Sequence, residues 1–76
     1  LLAMKFKVEG HTDAQGSEQH NMKLSQNRAD SVISYLTSKG VESGRLTGEG
    51  KGFSELLLPE KPKAAENRRV RITTQP

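Results

Sequence analysis

The chain has 76 residues, a net charge of +3, no cysteine, and hydrophobic side chains at only 32% of its positions. This length allows one small domain or a fragment of one, and such a chain buries only about 60% of its unfolded surface, so we expect marginal stability. The composition excludes disulfides and cysteine-ligated metals, the apolar runs are shorter than the roughly 18 residues that span a bilayer, and a charge of +3 is weak support for a polyanionic partner.

The first predicted element is a strand at about residues 5–10. Phe6 and Val8 fall on one side of this segment, and the charged residues that alternate with them fall on the other, which is the period-2 pattern of a strand with one buried face. A loop follows at 11–16, where Gly16 is available for a positive φ. The sequence therefore predicts an acidic turn at one end of a half-buried strand.

A long helix is predicted at about residues 18–39. Ser17 can cap its first turn through the hydroxyl, and Gly40 is a typical stop at its C-terminal end. On a helical wheel, one face collects apolar side chains and is predicted to face the core. This face comprises Met22, Ala29, Val32, Ile33 and Leu36.

Arg28 and Asn21 share one flank of this apolar face. On that flank Arg28 is neither buried outright nor directed into bulk water, so a loop from the sheet can meet it. Leu24 and Tyr35 lie on the same flank, and because they are apolar at a surface position we expect them to cover a neighbouring element. A polar site is therefore expected where this flank meets the sheet.

The remaining predicted elements are short. A strand is expected at about 45–48, followed by a G-x-G-x-G stretch at 48–52 that we interpret as flexible turns. Residues 51–66 are predicted to form a loop with one helical turn at 63–66, and a final strand is expected at about 68–74. These elements form a single domain, and the sequence contains no internal repeat.

Two patterns with fixed spacing carry a resemblance to a known family. The pattern G-H-T-D-x-x-G-x-x-x-x-N-x-x-L-S-x-x-R-A-x-x-V begins at Gly10, and N-R-R-V begins at Asn67. With them the chain resembles, over residues 5–74, the OmpA-like C-terminal domain, which tethers the Gram-negative outer membrane or other envelope machinery to peptidoglycan. The resemblance implies an α+β fold, an α/β sandwich of OmpA-like type in which a mixed sheet packs against a long helix.

The family normally begins with a strand and a helix before the strand that leads into G-H-T-D. The resemblance therefore implies a partial domain over residues 1–76, truncated at its N-terminus, with at most the tail of the first helix at 1–4. A membrane anchor would likewise lie upstream. Loss of the first strand and helix bares a sheet edge, through which a homo-oligomer could form.

The resemblance also implies a ligand, the diaminopimelate residue of the peptidoglycan stem peptide, which ends in an ammonium and a carboxylate on one carbon. Asp13 would accept hydrogen bonds from the ammonium, and Arg28 would donate a fork of hydrogen bonds to the carboxylate. Thr12 and Asn21 are expected to add neutral hydrogen bonds. Other positions of the two patterns are expected to support the site. They are Gly10, Gly16, Leu24, Asn67, Arg68 and Arg69.

Several questions stay open at this point. The corner at 67–69 either orients Asp13 or touches the ligand, and Asp13 and Arg28 taken alone also fit a structural salt bridge. A metal site on His11, Asp13 and a second histidine is weakly signalled, because the histidines lack helical i,i+4 spacing. Ser25 could complete a hydrolytic triad only by residue type, since it lies inside the predicted helix without a nucleophile elbow. We expect no enzyme, no metal and no cofactor.

The basic end at 68–71 has no neighbouring aromatic side chain for base stacking, so no nucleic-acid partner is expected. The glycine stretch lacks a following Lys-Ser/Thr helix start, which argues against a phosphate-binding loop. The sequence therefore predicts a non-enzymatic peptidoglycan-binding module of the periplasm, associated with the outer membrane or the cell envelope. The alternative is a protein–protein assembly module of the envelope that does not bind the cell wall.

Overall fold

A computed structural model describes residues 4–75 and contains three strands and one long helix, with single 3-10 turns at Ser43–Arg45 and Ala65–Asn67. The strands and the helix are β1 (Lys5–His11), α1 (Glu18–Ser38), β2 (Leu46–Gly50) and β3 (Arg69–Gln75). Of the helical tail expected at 1–4, residues 1–3 lie outside the described residues, and Met4 is not helical. Among the described residues, no helix combines the length and the apolar character that crossing a bilayer requires.

The three strands form one mixed sheet in the order β2-β1-β3. The central strand β1 is parallel to β2 and antiparallel to β3. Since parallel neighbours need a crossover, α1 connects β1 to β2 and packs against both of them. The helix therefore covers the β1 and β2 part of one sheet face, and the C-terminal end of β1 emerges beside the first turns of α1.

Local chemistry fixes both ends of α1. The Ser17 hydroxyl accepts a hydrogen bond from the backbone N–H of His20 at 3.1 Å, which satisfies one donor of the first turn. At the other end Gly40 has φ +102°, and the N–H of Val41 donates to the carbonyl of Leu36 at 3.1 Å. This is a Schellman motif with its apolar pair, and it stops the helix at the predicted glycine.

The helix approaches the sheet through small residues. The buried positions of α1 are Asn21, Ser25 and Ala29, which are spaced four residues apart on one stripe. A Cβ on Gly10 would collide with the Ser25 carbonyl oxygen, and one on Gly50 would lie 2.5 Å from the backbone nitrogen of the residue after Ser25. The G-x-G-x-G stretch was therefore wrongly interpreted as flexible turns, because its first two glycines lie in β2. Gly50 makes room for the backbone of α1, and Gly48 makes room for its side chains.

The predicted apolar core face of α1 is only partly correct. Ala29 is fully buried, but Met22 is 42% exposed, and Val32, Ile33 and Leu36 are half-buried. The closest contact instead follows the small and polar stripe, which rotates the apolar side chains toward the rim of the interface. Tyr35 is 61% exposed and lies with its ring 5.6 Å from the Lys39 ammonium, so it covers no neighbouring element among residues 4–75.

One strip of the sheet stays uncovered on the helix side. Val8 is fully buried under α1, whereas its cross-strand neighbour Ile72 is 50% exposed and Val70 is 39% exposed. A cleft of about 240 Å³ separates this strip from the helix. Its lining is wholly apolar and comprises Phe6, Leu36, Val41, Leu46 and Ile72. The helix-side surface of β3 is therefore an open apolar face.

Candidate ligand-binding site

Asp13 lies just beyond the C-terminal end of β1 and is 5% exposed. Its Oδ1 accepts from the backbone N–H of Gln15 at 3.0 Å, the turn that aspartate commonly makes with its own chain. Its Oδ2 accepts from Arg68 Nη1 at 2.6 Å. The Gln15 N–H and the Arg68 guanidinium hold the pKa of the Asp13 carboxyl below its ordinary value, and the positive charge of Arg28 acts in the same direction. Asp13 is thus a fixed anion.

Arg28 reaches the same end of β1 from the middle of α1. It is half-buried, and its Nη1 makes a long hydrogen bond of 3.4 Å to the carbonyl oxygen of His11. Among the described residues, the ion pair of Asp13 is with Arg68 rather than with Arg28. The structure therefore brings Asp13 and Arg28 to one corner but does not join them in a salt bridge.

The two arginines of the N-R-R-V pattern, Arg68 and Arg69, contact different parts of the chain. Arg68 contacts Asp13, whereas Arg69 donates to two backbone carbonyls, those of Asn67 at 3.4 Å and Glu55 at 3.2 Å. Successive side chains at the start of a strand point to opposite faces, which accounts for the split. Arg68 therefore makes the contact with Asp13 that an orienting role requires, and Arg69 contacts the loop that precedes β3.

Two further predicted site residues are buried, with different partners. Asn21 is 3% exposed, and its Nδ2 donates to the Gln15 carbonyl at 2.7 Å, which ties the loop after Asp13 to the helix. Thr12 is 2% exposed, and its Oγ1 has no hydrogen-bond partner among residues 4–75. Asn21 is therefore engaged by the loop, whereas the Thr12 hydroxyl is unpaired within that range, which costs about 1–3 kcal/mol for a buried group.

The residues that were expected to support the site act in different ways. Gly10 provides the close contact with α1 described above, and Gly16 adopts φ +85° in the turn before the helix cap. Asn67 is fully buried and bonds to the loop between β2 and β3. Leu24 is half-buried on α1, one helical turn before Arg28. Gly10, Gly16 and Asn67 therefore act on the backbone around Asp13.

The residues considered for a metal site and for a hydrolytic triad have other contacts in the structure. Within residues 4–75, no group of three or more acidic, histidine or cysteine side chains is arranged to hold a metal ion. His11 Nε2 lies 3.3 Å from Glu9, and His20 is exposed on α1. The Ser25 hydroxyl donates to the Met22 carbonyl and accepts from the Gly52 N–H, each at 2.8 Å. Ser25 therefore serves the packing of helix, strand and loop.

Comparisons with known proteins identify the family and the fold that this chain resembles. The OmpA family model matches residues 2–71. Outer membrane protein A of Bordetella avium is 48% identical over 65 residues, which are 83% of this chain and 34% of that protein. The OmpA-like domain of FopA1 from Francisella tularensis matches with a TM-score of 0.83 at 25% identity, over 95% of this chain and 50% of that chain. The peptidoglycan-associated lipoprotein from Burkholderia pseudomallei matches with a TM-score of 0.84 at 27% identity, over 95% of this chain and 63% of that one.

These likenesses confirm the predicted fold class, an α+β arrangement of OmpA-like type in which a mixed sheet packs against one long helix. The chain spans about a third of the length of the curated relative and half to nearly two thirds of the solved chains. By their names, these relatives include an outer membrane protein and a lipoprotein associated with peptidoglycan.

Proposed function

The chain belongs to the OmpA family, and we propose that it binds peptidoglycan non-covalently as a module of the Gram-negative envelope, located in the periplasm and without enzymatic activity. Relatives named for the outer membrane and for peptidoglycan association support that location and that polymer. The observation that carries the proposal is the shared corner of Asp13 and Arg28, an anion and a cation that are held by separate elements and not paired with each other.

The proposed ligand group is the zwitterionic end of diaminopimelate. Asp13 is buried, ionised and oriented, so it can accept hydrogen bonds from an ammonium. Arg28 uses one N–H on the His11 carbonyl, and the rest of its guanidinium fork can donate to a carboxylate. Thr12 Oγ1, which is buried and unpaired within the described part of the chain, is the proposed neutral contact, and it becomes accessible when the ligand displaces the atoms that cover it. Each charge-assisted hydrogen bond contributes about 1.5–3 kcal/mol, which fits weak binding to a polymer with many copies of the ligand.

Sedimentation with insoluble peptidoglycan tests the proposal. Asp13→Ala and Arg28→Ala are each expected to reduce the bound fraction, because each removes one partner of the zwitterion. Lys23→Ala and Glu60→Ala are charge controls at exposed positions and are expected to bind like the wild type. A polymer whose stem peptide carries lysine lacks the terminal carboxylate and should bind less well. Undiminished sedimentation of both site variants would refute the zwitterion clamp.

A second candidate is assembly with another copy of this chain along β3. Among the described residues β3 pairs only with β1, and its helix-side residues Val70 and Ile72 are exposed beside the apolar cleft. An antiparallel pair of β3 strands centred on Ile72 would place Ile72 against Ile72 and each Arg71 against a neutral Thr73. That register extends the apolar strip without opposing like charges, and it favours a second copy as the occupant.

The oligomeric state distinguishes this candidate. Sedimentation equilibrium is expected to detect a dimer at high protein concentration, and Ile72→Lys is expected to shift it to monomer. Thr47→Lys is a control on the other edge strand, β2, where Thr47 is exposed. A wild-type chain that stays monomeric at the highest concentration tested would exclude assembly along β3. It would leave the cell-wall proposal untouched.

A further inference from the structure

The backbone amides on either side of Asp13 both donate to one loop. The N–H of Thr12 donates to the Gly52 carbonyl, and the N–H of Ala14 donates to the Pro62 carbonyl, each at 2.8 Å. Both carbonyls belong to the β2–β3 loop, which comprises residues 51–68. Most of this loop lies outside helices and strands. The backbone of Asp13 is therefore held by a segment that has little regular structure of its own.

One buried side chain bonds to three backbone groups of that loop. Asn67 is fully buried, and its Oδ1 accepts from the N–H of Leu58 at 2.7 Å. Its Nδ2 donates to the carbonyls of Lys61 at 2.9 Å and Pro62 at 3.3 Å. The Pro62 carbonyl thus accepts both from the Asn67 side chain and from the amide of Ala14. One carbonyl oxygen connects the asparagine to the residue that follows Asp13.

We propose that Asn67 is a positioning residue for the Asp13 carboxylate, acting through the Pro62 carbonyl and the Ala14 amide. The inference rests on the proposed function, in which Asp13 binds the ligand. Two consecutive residues then act on one carboxylate. Arg68 contacts it directly at 2.6 Å, and Asn67 fixes the backbone that carries it. Because Asn67 is fully buried, it reaches the ligand only through this chain of contacts.

The contact set explains why the position requires an amide. The side chain must accept from one backbone N–H and donate to two carbonyls at the same time. A carboxylate at this position has no hydrogen to donate and would repel both carbonyls, and an apolar side chain would leave the N–H of Leu58 without this acceptor and would remove the hydrogen bonds to the carbonyls of Lys61 and Pro62. A side chain at position 67 that cannot make these contacts therefore frees the β2–β3 loop first, and the loop then no longer holds the backbone of Asp13.

The test compares Asn67→Ala with Asn27→Ala, a matched asparagine that is exposed on α1. NMR on the ligand-free protein measures the Asp13 carboxyl pKa and the hydrogen exchange of the Ala14 amide. In Asn67→Ala we expect Ala14 to exchange about tenfold faster, the effect of losing roughly one hydrogen bond, and the Asp13 pKa to rise toward its ordinary value. The amide of Val8 in β1 should keep its protection.

Asn27→Ala should change none of these quantities. If circular dichroism shows that Asn67→Ala loses the fold, Asn67→Ser replaces it with the same readouts, because the hydroxyl keeps one donor and one acceptor. Unchanged Ala14 exchange and an unchanged Asp13 pKa in the folded variant would overturn the positioning role. So would a uniform loss of protection that includes Val8, because that result marks a merely structural residue.

Peptidoglycan sedimentation separates this inference from the proposed function. If Asn67→Ala moves the Asp13 pKa but neither it nor Asp13→Ala alters sedimentation, the positioning role stands and the cell-wall function fails. If Asp13→Ala abolishes sedimentation while Asn67→Ala leaves sedimentation, pKa and exchange unchanged, the cell-wall function stands and the positioning role fails. If the positioning role and the cell-wall function are both correct, Asn67→Ala lowers the sedimented fraction, as Asp13→Ala does.

Discussion

Arg68 Nη1 lies 2.6 Å from Asp13 Oδ2, so the proposed anionic half of the site already has a cationic partner from the start of β3. Arg68 remains substantially exposed, with 44% of its side-chain surface accessible. Because a carboxylate oxygen can accept more than one hydrogen bond, a ligand ammonium can share Asp13 with Arg68. The arginine therefore contacts the buried carboxylate while most of its own exposed surface stays in solvent.

Replacing Arg68 by glutamine is expected to raise the pKa of Asp13. The substitution removes the guanidinium that, after the Gln15 N–H, contributes most to lowering this pKa. The Asp13 carboxyl carbon shift, followed by NMR through an acid titration, measures the effect. Arg71→Gln removes the same charge three residues further along the chain, within β3, and is expected to leave the Asp13 pKa much closer to that of the wild type. Equal pKa changes in both variants would show that only the overall charge matters.

The stability contributed by ionised Asp13 is expected to depend on pH. Its folded-state pKa is lowered from the ordinary value of 3.8, so the contribution is fully present above about pH 4 and is lost as the pH falls through the folded-state pKa. Urea unfolding of wild type and Asp13→Asn should therefore differ most near neutral pH and converge in acid. Asp30→Asn, at an exposed position on α1, is the control. A difference that grows toward acid pH would contradict the lowered pKa.

Gly10→Ala is expected to be strongly destabilising, because the added methyl group would collide with the backbone carbonyl of Ser25. Overpacking of a close contact costs about 1–3 kcal/mol or more. The free energy of unfolding in urea measures the loss. Gly44→Ala is the matched control, since a Cβ there meets nothing within 4 Å, and we expect a change within about 0.5 kcal/mol. Equal stability of the two variants would show that α1 does not need the glycine.

Gly40→Ala is expected to destabilise the chain for a different reason. A Cβ at Gly40 meets nothing within 4 Å, but the residue has φ +102°, which costs an L-residue about 1–2 kcal/mol. Asparagine tolerates positive φ better, so Gly40→Asn should lose less stability than Gly40→Ala in the same urea experiment. A smaller loss for alanine than for asparagine would argue against this helix stop.

The sequence predicts the features that depend on local chemistry. The Ser17 cap and the Gly40 stop follow from hydroxyl and glycine preferences within a few residues. The buried stripe of Asn21, Ser25 and Ala29 could not be found by hydrophobic periodicity, because most of it is polar and its partners are glycines. Only the three-dimensional packing reveals that the glycines of β2 serve this contact.

The partner of Asp13 depends on contacts between distant parts of the chain. Arg68 is 55 residues away from Asp13 in the sequence, and neither charge nor spacing distinguishes it from Arg69 or Arg28. The Asn67 contacts with the β2–β3 loop are equally invisible, because that segment has no periodic pattern. The family resemblance indicated which residues gather at the corner, and the geometry indicates which of them touch.

The central position of β1 has a mechanical consequence for the ligand contact proposed at Asp13. A pull on Asp13 along the strand axis would be transmitted to β1. That strand is paired on both sides, over Phe6–Gly10 with β2 and over Lys5–His11 with β3. Tension therefore shears two ladders at once, and their hydrogen bonds share the force instead of opening one pair at a time.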